Sequence, residues 1–344
     1  MKILVIHPGS LGDVILSLPA LHALRQAYPR ARLELIGRGS ILELLNGRFY
    51  ADRTISIDRG DVSSCLMGQA ALSDPLACTL RDSHFVINWL DGETGEVSQN
   101  LRRIGVKRVI ASRPISQKTD QKHRTEIFLE ALSSLGISMP LTRPQLFPSM
   151  EDRRLGEEAL IRKGIKVSSG PILAIHPGSG GPSKCWKLSR FVEVSRQARE
   201  SLGFQPIFIL GPAEERLAPR LKASLGDKTV ILSASGGCLP LPVLAGALSW
   251  CSGFLGNDSG VTHLAVALGV PTVAIFGPTD PLLWGPLGPS VTILSKRELC
   301  AQCLQTGSPG LRNELRSEHC CLDLVSVEEV VQALTKIACL SSIY

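Results

Sequence analysis

Apolar residues in this chain follow two rhythms that alternate almost from end to end. Short, mostly aliphatic runs occur at residues 2–6, 32–36, 85–89, 109–111, 172–175, 206–210, 229–232, 253–255 and 272–276. Runs of that length, rather than strict alternation, are what strands of a parallel sheet covered on both faces require. Between them lie longer stretches with helical spacing, at residues 14–27, 189–201 and 261–268, and a last amphipathic run at 325–340. Ser326, followed by Glu328 and Glu329, suits the start of that closing helix, because a hydroxyl and carboxylates there meet unpaired amides and the positive end of the helix dipole. The alternation predicts an α/β fold of doubly wound parallel sheets.

The pattern also repeats itself. Lys2-Ile3-Leu4-Val5-Ile6 leads into His7-Pro8-Gly9-Ser10, and Pro171-Ile172-Leu173-Ala174-Ile175 leads into His176-Pro177-Gly178-Ser179. Each is a strand opening into a glycine turn, so the simplest reading is two Rossmann-like domains, each with its own first strand. We place them at residues 1–160 and 170–324, with residues 325–344 as a closing helix. The stretch 138–169, holding Pro140, Pro144 and Pro148 and then Glu151, Asp152, Arg153 and Arg154, reads as the linker. Two such domains are expected to face one another across a ligand-binding cleft.

Composition narrows the field further. At 344 residues there is room for two domains. With 44% hydrophobic and 20% charged residues the chain is neither disordered nor fibrous. An aromatic content of 5% argues against a stacking platform for single-stranded nucleic acid. Ten cysteines fall short of a disulfide scaffold. The net charge of +6 suits an anionic ligand or membrane surface better than a DNA groove. The N-terminal apolar run breaks at Pro8-Gly9, too soon for an export signal, and residues 264–276 are interrupted by Gly269 and Pro271, too short for a membrane span. The expected location is the cytoplasm, with reduced thiols.

Ligands of doubly wound sheets bind beyond the carboxyl ends of the strands, so the turns there are where chemistry is expected. The first is Gly9-Ser10-Leu11-Gly12-Asp13-Val14: glycines admit a ligand to the backbone, and Asp13 at a helix start either faces the cleft or caps the helix. The second, Gly178-Ser179-Gly180-Gly181-Pro182-Ser183-Lys184-Cys185-Trp186, has the outline of a phosphate loop but lacks the Gly-Lys-Ser/Thr order of a Walker A motif. Lys184 there is either a point charge for a diphosphate or a solvated loop lysine. The third, Asn257-Asp258-Ser259-Gly260-Val261-Thr262-His263, offers a helix N-terminus to phosphate oxygens, although Asp258, Ser259 and Thr262 are also ordinary caps and His263 reads first as structural. The fourth, Gly277-Pro278-Thr279-Asp280-Pro281, is good helix-start chemistry with or without a ligand. In the turn Leu210-Gly211-Pro212-Ala213-Glu214-Glu215, a glutamate either reaches a ribose hydroxyl or favours the next helix.

Taken together and in this order, the four turns resemble glycosyltransferase family 9, the heptosyltransferases of the lipopolysaccharide inner core. The matching pieces are residues 9–14, residues 177–186 with Lys184-Cys185-Trp186, residues 258–265 and residues 277–281. The resemblance implies a GT-B fold, with an N-terminal acceptor domain, a C-terminal donor domain and a closing helix that packs back on the N-terminal domain. It implies inverting, metal-independent transfer from a nucleotide-diphosphate sugar, usually ADP-heptose, with no cofactor. By motif, Asp13 becomes the general base, with Ser10 and Gly12 beside it on the acceptor side. Lys184 and the amides that open the helix at Ser259, Gly260 and Thr262 become the stabilisers of the leaving diphosphate, with Thr279 a further candidate. Ser179 and His263 join the donor side, Glu215 goes to the ribose and Asp258 to sugar hydroxyls. Lys187 departs from the pattern, since many relatives have proline after the tryptophan.

Two other features enter. Arg113, Lys118, Lys122, His123 and Arg124 form a basic stretch that either meets an anionic acceptor, such as a lipid-linked saccharide at the cytoplasmic face of the inner membrane, or is a solvated loop. Cys300, Cys303, Cys320 and Cys321 form a zinc candidate, weighed against free or loop-stapling cysteines because adjacent Cys320 and Cys321 suit tetrahedral ligation poorly. Alternatives to heptosyl transfer are a family 9 transferase with another nucleotide sugar, a GT-B nucleotide-sugar epimerase, which would consume donor without acceptor, and a noncatalytic sugar-binding protein, which has no need of Asp13 as a base.

Overall fold

Every apolar run singled out above forms a strand, and all pairings between strands are parallel. The structure, a computed structural model, describes residues 1–69, 71, 73–111, 121–233, 239–300 and 320–341. It divides into two units, Met1–Pro144 and Gln145–Tyr344.

The first unit carries β1 (Lys2–His7), β2 (Arg32–Gly37), β3 (Arg53–Ser56), β4 (Phe85–Asn88) and β5 (Val109–Ala111), in the order β3-β2-β1-β4-β5. Central β1 has Ile3, Leu4, Val5 and Ile6 completely buried, which explains its unbroken apolar run. The chain moves outward from β1 through β2 and β3, then returns to the other side for β4 and β5. The direction of winding therefore reverses between β1 and β4, the place where doubly wound sheets open a crevice at their carboxyl ends.

The second unit repeats the plan with β6 (Ile172–His176), β7 (Gln205–Leu210), β8 (Val230–Ser233), β9 (Gly253–Asn257), β10 (Thr272–Phe276) and β11 (Val291–Ser295), in the order β11-β10-β9-β6-β7-β8. Its winding reverses between β6 and β9. Both copies of the strand-His-Pro-Gly-Ser repeat thus end at a reversal point. The strands β3 and β11 are absent from the hydropathy pattern because neither presents an unbroken buried apolar run, whereas the other two edge strands, β5 and β8, do appear in it. Arg53-Thr54-Ile55-Ser56 has a single apolar residue, fully buried among exposed or half-buried neighbours, and β11 is half-buried throughout.

One boundary expectation is corrected. Residues expected to be linker or N-terminal domain form a helix, Met150–Arg162, which belongs to the second unit and packs on the Leu241–Leu248 helix. Ser149 and Asp152 start it reciprocally: the Ser149 N–H and hydroxyl donate to Asp152 Oδ2 at 2.7 Å each, and the Asp152 N–H donates to Ser149 Oγ at 3.1 Å. The helices meet backbone to backbone. A Cβ at Gly246 would lie 1.8 Å from the Asp152 carbonyl oxygen, and one at Gly156 would lie 2.1 Å from Ala247 N. The closing helix, Val327–Ser341, packs on the Leu188–Leu202 helix and on β9 and β10 of its own unit, burying Val330, Ala333, Leu334 and Ile337 in that core. No helix among the described residues is long and apolar enough to cross a membrane.

The repeat's two histidines are both buried. Burial holds His7 down to about 4 from its ordinary 6.5, against the opposing pull of the Asp13 carboxylate. Burial lowers His176 in the same direction.

Two stability predictions follow from this packing. Gly246→Ala forces a methyl into main chain, so we expect a loss of about 3 kcal/mol, the upper end for overpacked interiors. Scanning calorimetry should show a midpoint lowered by roughly 6–12 °C; a midpoint unchanged within about 1 °C would refute the close crossing. Because unfolded His7 protonates near 6.5 and the folded ring only near 4, the unfolded chain gains a proton first as the solution is acidified. Stability is then fully present above pH 6.5 and declines toward pH 4. Midpoints measured across that interval should fall, and less steeply in His7→Asn.

Candidate active site

In the first unit the site grows from the end of β1. The Leu11–Ala27 helix begins at Ser10, in extended conformation, and Asp13 is its third residue. The Ser10 N–H donates to Asp13 Oδ2 at 2.9 Å and the Ser10 hydroxyl donates to the same oxygen at 2.6 Å. One carboxylate oxygen therefore serves the helix start, which is the capping role considered for this residue. Oδ1 of the same half-buried carboxylate takes no hydrogen bond among the described residues. Gly9 makes this possible, since a Cβ there would fall 2.6 Å from Asp13 Cβ and 2.7 Å from His7 Cε1.

In the second unit the structure brings Ser179, Lys184, Asp258, Ser259 and Thr262 together. Lys184 Nζ lies 2.8 Å from Asp258 Oδ2, with the carboxylate nearly buried and the ammonium about a third exposed at 32%. The Ser179 hydroxyl donates to the Asp258 carbonyl at 2.6 Å. Ser259 caps the Gly260–Ala267 helix: its oxygen accepts the Thr262 N–H at 3.3 Å and lies 3.0 Å from the Thr262 hydroxyl. The result is a cation on one side of a helix N-terminus, an arrangement that accepts phosphate oxygens. His263 is buried in the first turn of that helix, in keeping with its structural reading.

The loop that carries Lys184 is fixed at both ends by a residue that the sequence analysis passed over. Asn257, the last residue of β9 and fully buried, donates to the carbonyls of Pro177 (2.8 Å) and Gly178 (3.2 Å) and accepts the Trp186 N–H at 2.9 Å. Trp186 is itself locked by its indole N–H on the Val325 carbonyl at 3.1 Å and by an edge contact with Phe191. Lys187, the departure from the family pattern, points to Asp323 at 2.8 Å and leaves this anchoring intact. Burial, followed by the Glu214 charge, pushes the Cys185 thiol up, which keeps it protonated.

Around this cradle the remaining candidates separate. Glu214, not Glu215, is the carboxylate that closes the turn after β7, accepting the Gly211 N–H at 3.1 Å and packing so near Gly178 that a Cβ would meet its Cδ at 2.4 Å. Glu215 is half-buried, its carbonyl accepts the Ala218 N–H, and its carboxylate makes no hydrogen bond or ion pair among the described residues. Asp280 is a cap, accepting the Leu282 N–H at 2.9 Å and pairing with Arg297 at 3.3 Å. Thr279 is buried and its hydroxyl has no partner among the described residues.

Of the basic stretch, Lys122, His123 and Arg124 are described. Arg113 and Lys118 lie outside the described residues. Lys122 pairs with Glu130, and His123 is buried as the cap of the Arg124–Glu130 helix, accepting the Thr125 N–H at 3.3 Å. Cys300 and Cys321 are buried against one another, Cys303 lies outside the described residues, and only the backbone of Cys320 is described. Among the described residues no three His, Cys, Asp or Glu side chains come together to hold a metal.

Comparison with known proteins supplies the family. The sequence model of glycosyltransferase family 9 (heptosyltransferase) matches residues 100–311, more than half of the chain. Lipopolysaccharide heptosyltransferase 1 of Pseudomonas aeruginosa is 28% identical over 330 residues, which cover 89% of this chain and 86% of that protein. Among solved structures, a family 9 glycosyl transferase from Veillonella parvula superposes with a TM-score of 0.78 at 20% identity, covering 98% of this chain and 97% of the other. ADP-heptose lps heptosyltransferase II of E. coli does so with 0.77 at 18% identity, covering 99% and 100%. The paired Rossmann-like units of the GT-B type, the motif turns at their reversal points and the family match agree, and the chain belongs to glycosyltransferase family 9, the heptosyltransferases.

Proposed function

We propose that this glycosyltransferase moves heptose from ADP-heptose to an anionic, lipid-linked saccharide of the lipopolysaccharide inner core, with inversion at the anomeric carbon. The donor is supported by the name of the E. coli relative, and the acceptor by the lipopolysaccharide heptosyltransferases of like sequence. The observation that carries the chemistry is the asymmetry of Asp13: Oδ2 is held by Ser10, while Oδ1 is free to accept a proton.

The acceptor hydroxyl gives its proton to Asp13 Oδ1 as its oxygen attacks the anomeric carbon from the face opposite the diphosphate. The carbon–oxygen bond to the diphosphate breaks, and the electron pair leaves with the nucleoside diphosphate. Attack and departure on opposite faces invert the centre. The transition state gathers positive charge on the sugar ring and negative charge on the leaving oxygens, so fixed donors aimed at those oxygens lower the barrier. Lys184 has three N–H donors, enough to hold Asp258 Oδ2 and a diphosphate oxygen together. Asp258 then turns its remaining lone pairs to sugar hydroxyls without an uncompensated charge near the phosphates. The amides after Ser259 and the Thr279 hydroxyl take further phosphate oxygens, and Glu215 takes the ribose. Gly12, Ser10 and Arg124 contribute to acceptor binding in the first unit.

Asp13→Asn keeps the cap but removes the base, so turnover should fall by about 10²–10⁴-fold, the usual worth of a positioned proton acceptor, while calorimetric binding of the nucleotide sugar stays within a few-fold. Turnover at the wild-type rate would remove Asp13 from the mechanism. Lys184→Ala leaves the Asp258 carboxylate facing the incoming diphosphate, and we expect donor affinity and kcat both to fall by about tenfold or more; unchanged kinetics would refute its role. In a thermal-shift panel of nucleotide sugars, ADP-heptose should raise the midpoint most, since a ligand that binds only the folded state stabilises it by mass action. A larger shift from a uridine or guanosine donor would overturn the choice of base.

A further inference from the structure

His7 lies outside the chemistry just described, yet it touches the turn that presents Asp13. Its Nδ1 accepts the Gly9 N–H at 3.2 Å, and the next peptide along, that of Ser10, donates to Asp13 Oδ2 at 2.9 Å. The ring and the aspartate side chain grip Gly9 from two sides, leaving no room there for any Cβ. Since Nδ1 is an acceptor in this bond, the proton of the neutral ring resides on Nε2.

That Nε2–H is buried and has no hydrogen-bond partner among the described residues. Beside it stands Trp89, tied to β1 through its main-chain N–H on the Ile6 carbonyl at 3.0 Å, its ring edge-on to His7 with centroids 5.3 Å apart. The Trp89 indole N–H is equally buried and equally unpartnered. Phe128 closes the other side, 5.3 Å from His7 and 5.0 Å from Trp89, and one turn earlier on the same helix Thr125 carries a third buried, unpartnered polar atom, its hydroxyl oxygen. Native interiors leave few such groups, and several in one neighbourhood point to an oxygen ligand shared between them. The repeat in the second unit is a control within the same molecule: there His176 Nδ1 bonds the Ile209 carbonyl at 2.9 Å, and neither ring nitrogen is left buried without a partner.

We propose that His7 is the positioning residue for Asp13, acting as the Nε2–H tautomer, and that one buried water molecule completes it by accepting from His7 Nε2–H and Trp89 Nε1–H. The water fixes the ring, the ring fixes the Gly9 peptide, and the turn holds Oδ1 where a proton is transferred. The catalytic consequence rests on the assignment of Asp13 as base; the water site does not.

The test uses the full-length enzyme and pairs two isosteres. In His7→Asn the amide oxygen replaces Nδ1 as acceptor, whereas in His7→Gln the amide nitrogen replaces Nε2 as donor. His7→Gln is expected to lower kcat by about tenfold or more, as a displaced catalytic group does, with the donor KM unchanged, and His7→Asn to recover most of that loss. Equal kcat per folded molecule in the two variants would overturn the positioning role. Trp89→Phe keeps the packing but deletes one donor to the water; it should lower the thermal midpoint, whereas a raised midpoint would mean that an unsatisfied group had been removed and would overturn the water site. A crystal structure of the wild-type enzyme should show density within hydrogen-bond distance of both nitrogens. Asp13→Asn separates the two ideas: if it stays active, the base is misassigned, and if it is inactive while His7→Gln turns over normally, only the present inference fails.

Discussion

A parallel strand that ends in a protein interior leaves the chain a single turn in which to satisfy its amides before a helix begins, and both units of this enzyme are organised around that turn. The strand must be apolar because both its faces are covered, whereas the turn must be small and polar because it emerges where the winding reverses. Glycine resolves the conflict twice. At Gly9 and at Gly178 the space of the missing side chain is taken by an acidic residue brought from elsewhere, Asp13 of the following helix through its Cβ and Glu214 of the turn after the neighbouring strand β7 through its carboxyl group. The same local solution thus places negative charge by different routes. In the first unit that charge is left with an oxygen that takes no hydrogen bond among the described residues, and in the second it packs against Gly178 while Lys184 pairs with Asp258.

Much of the architecture was legible in the sequence because burial on both faces imposes an unbroken apolar run, and the central strands obey it. What escaped was whatever the interior does not dictate. Strands β3 and β11 hold Arg53, Thr54 and Thr292 among their apolar residues, so hydropathy does not reveal them, whereas edge strands β5 and β8 keep recognisable apolar runs. The Met150–Arg162 helix was hidden by its neighbours: three prolines precede it, its charged first turn reads as linker, and its contact with the Leu241–Leu248 helix is made by glycines, which carry no hydrophobic signal. The closing helix was recognised from its amphipathic spacing, and its buried Val330, Leu334 and Ile337 fill the core of its own unit.

The candidate site divides along the same line. Residues whose chemistry is local, such as Asp13 beside Ser10 or Ser259 before Thr262, were visible from spacing alone. Residues whose role depends on a partner far along the chain were not. Lys184 meets Asp258 across 74 positions, and Asn257 reaches back 80 positions to Pro177; only the fold makes them neighbours. His7 was quoted as part of a repeat yet given no task, because a histidine at a strand end has the same appearance whether its ring is satisfied, as at His176, or left with a buried donor.

The way the closing segment is tied in bears on how the protein is made. Arg190 donates to the carbonyls of Asp323 and Val325 at 2.9 and 2.7 Å, and the Trp186 indole holds Val325 as well, so a stretch near the chain's end is wedged under the helix that follows the lysine loop. The first unit is contiguous in sequence, Met1–Pro144, and domains generally fold as units during synthesis. The second cannot seal its interior until translation has passed Ile337. Nascent chains should therefore carry a finished N-terminal half joined to a half with an open hydrophobic face, and that interval, rather than any step in the mature enzyme, is when a chaperone has most to protect.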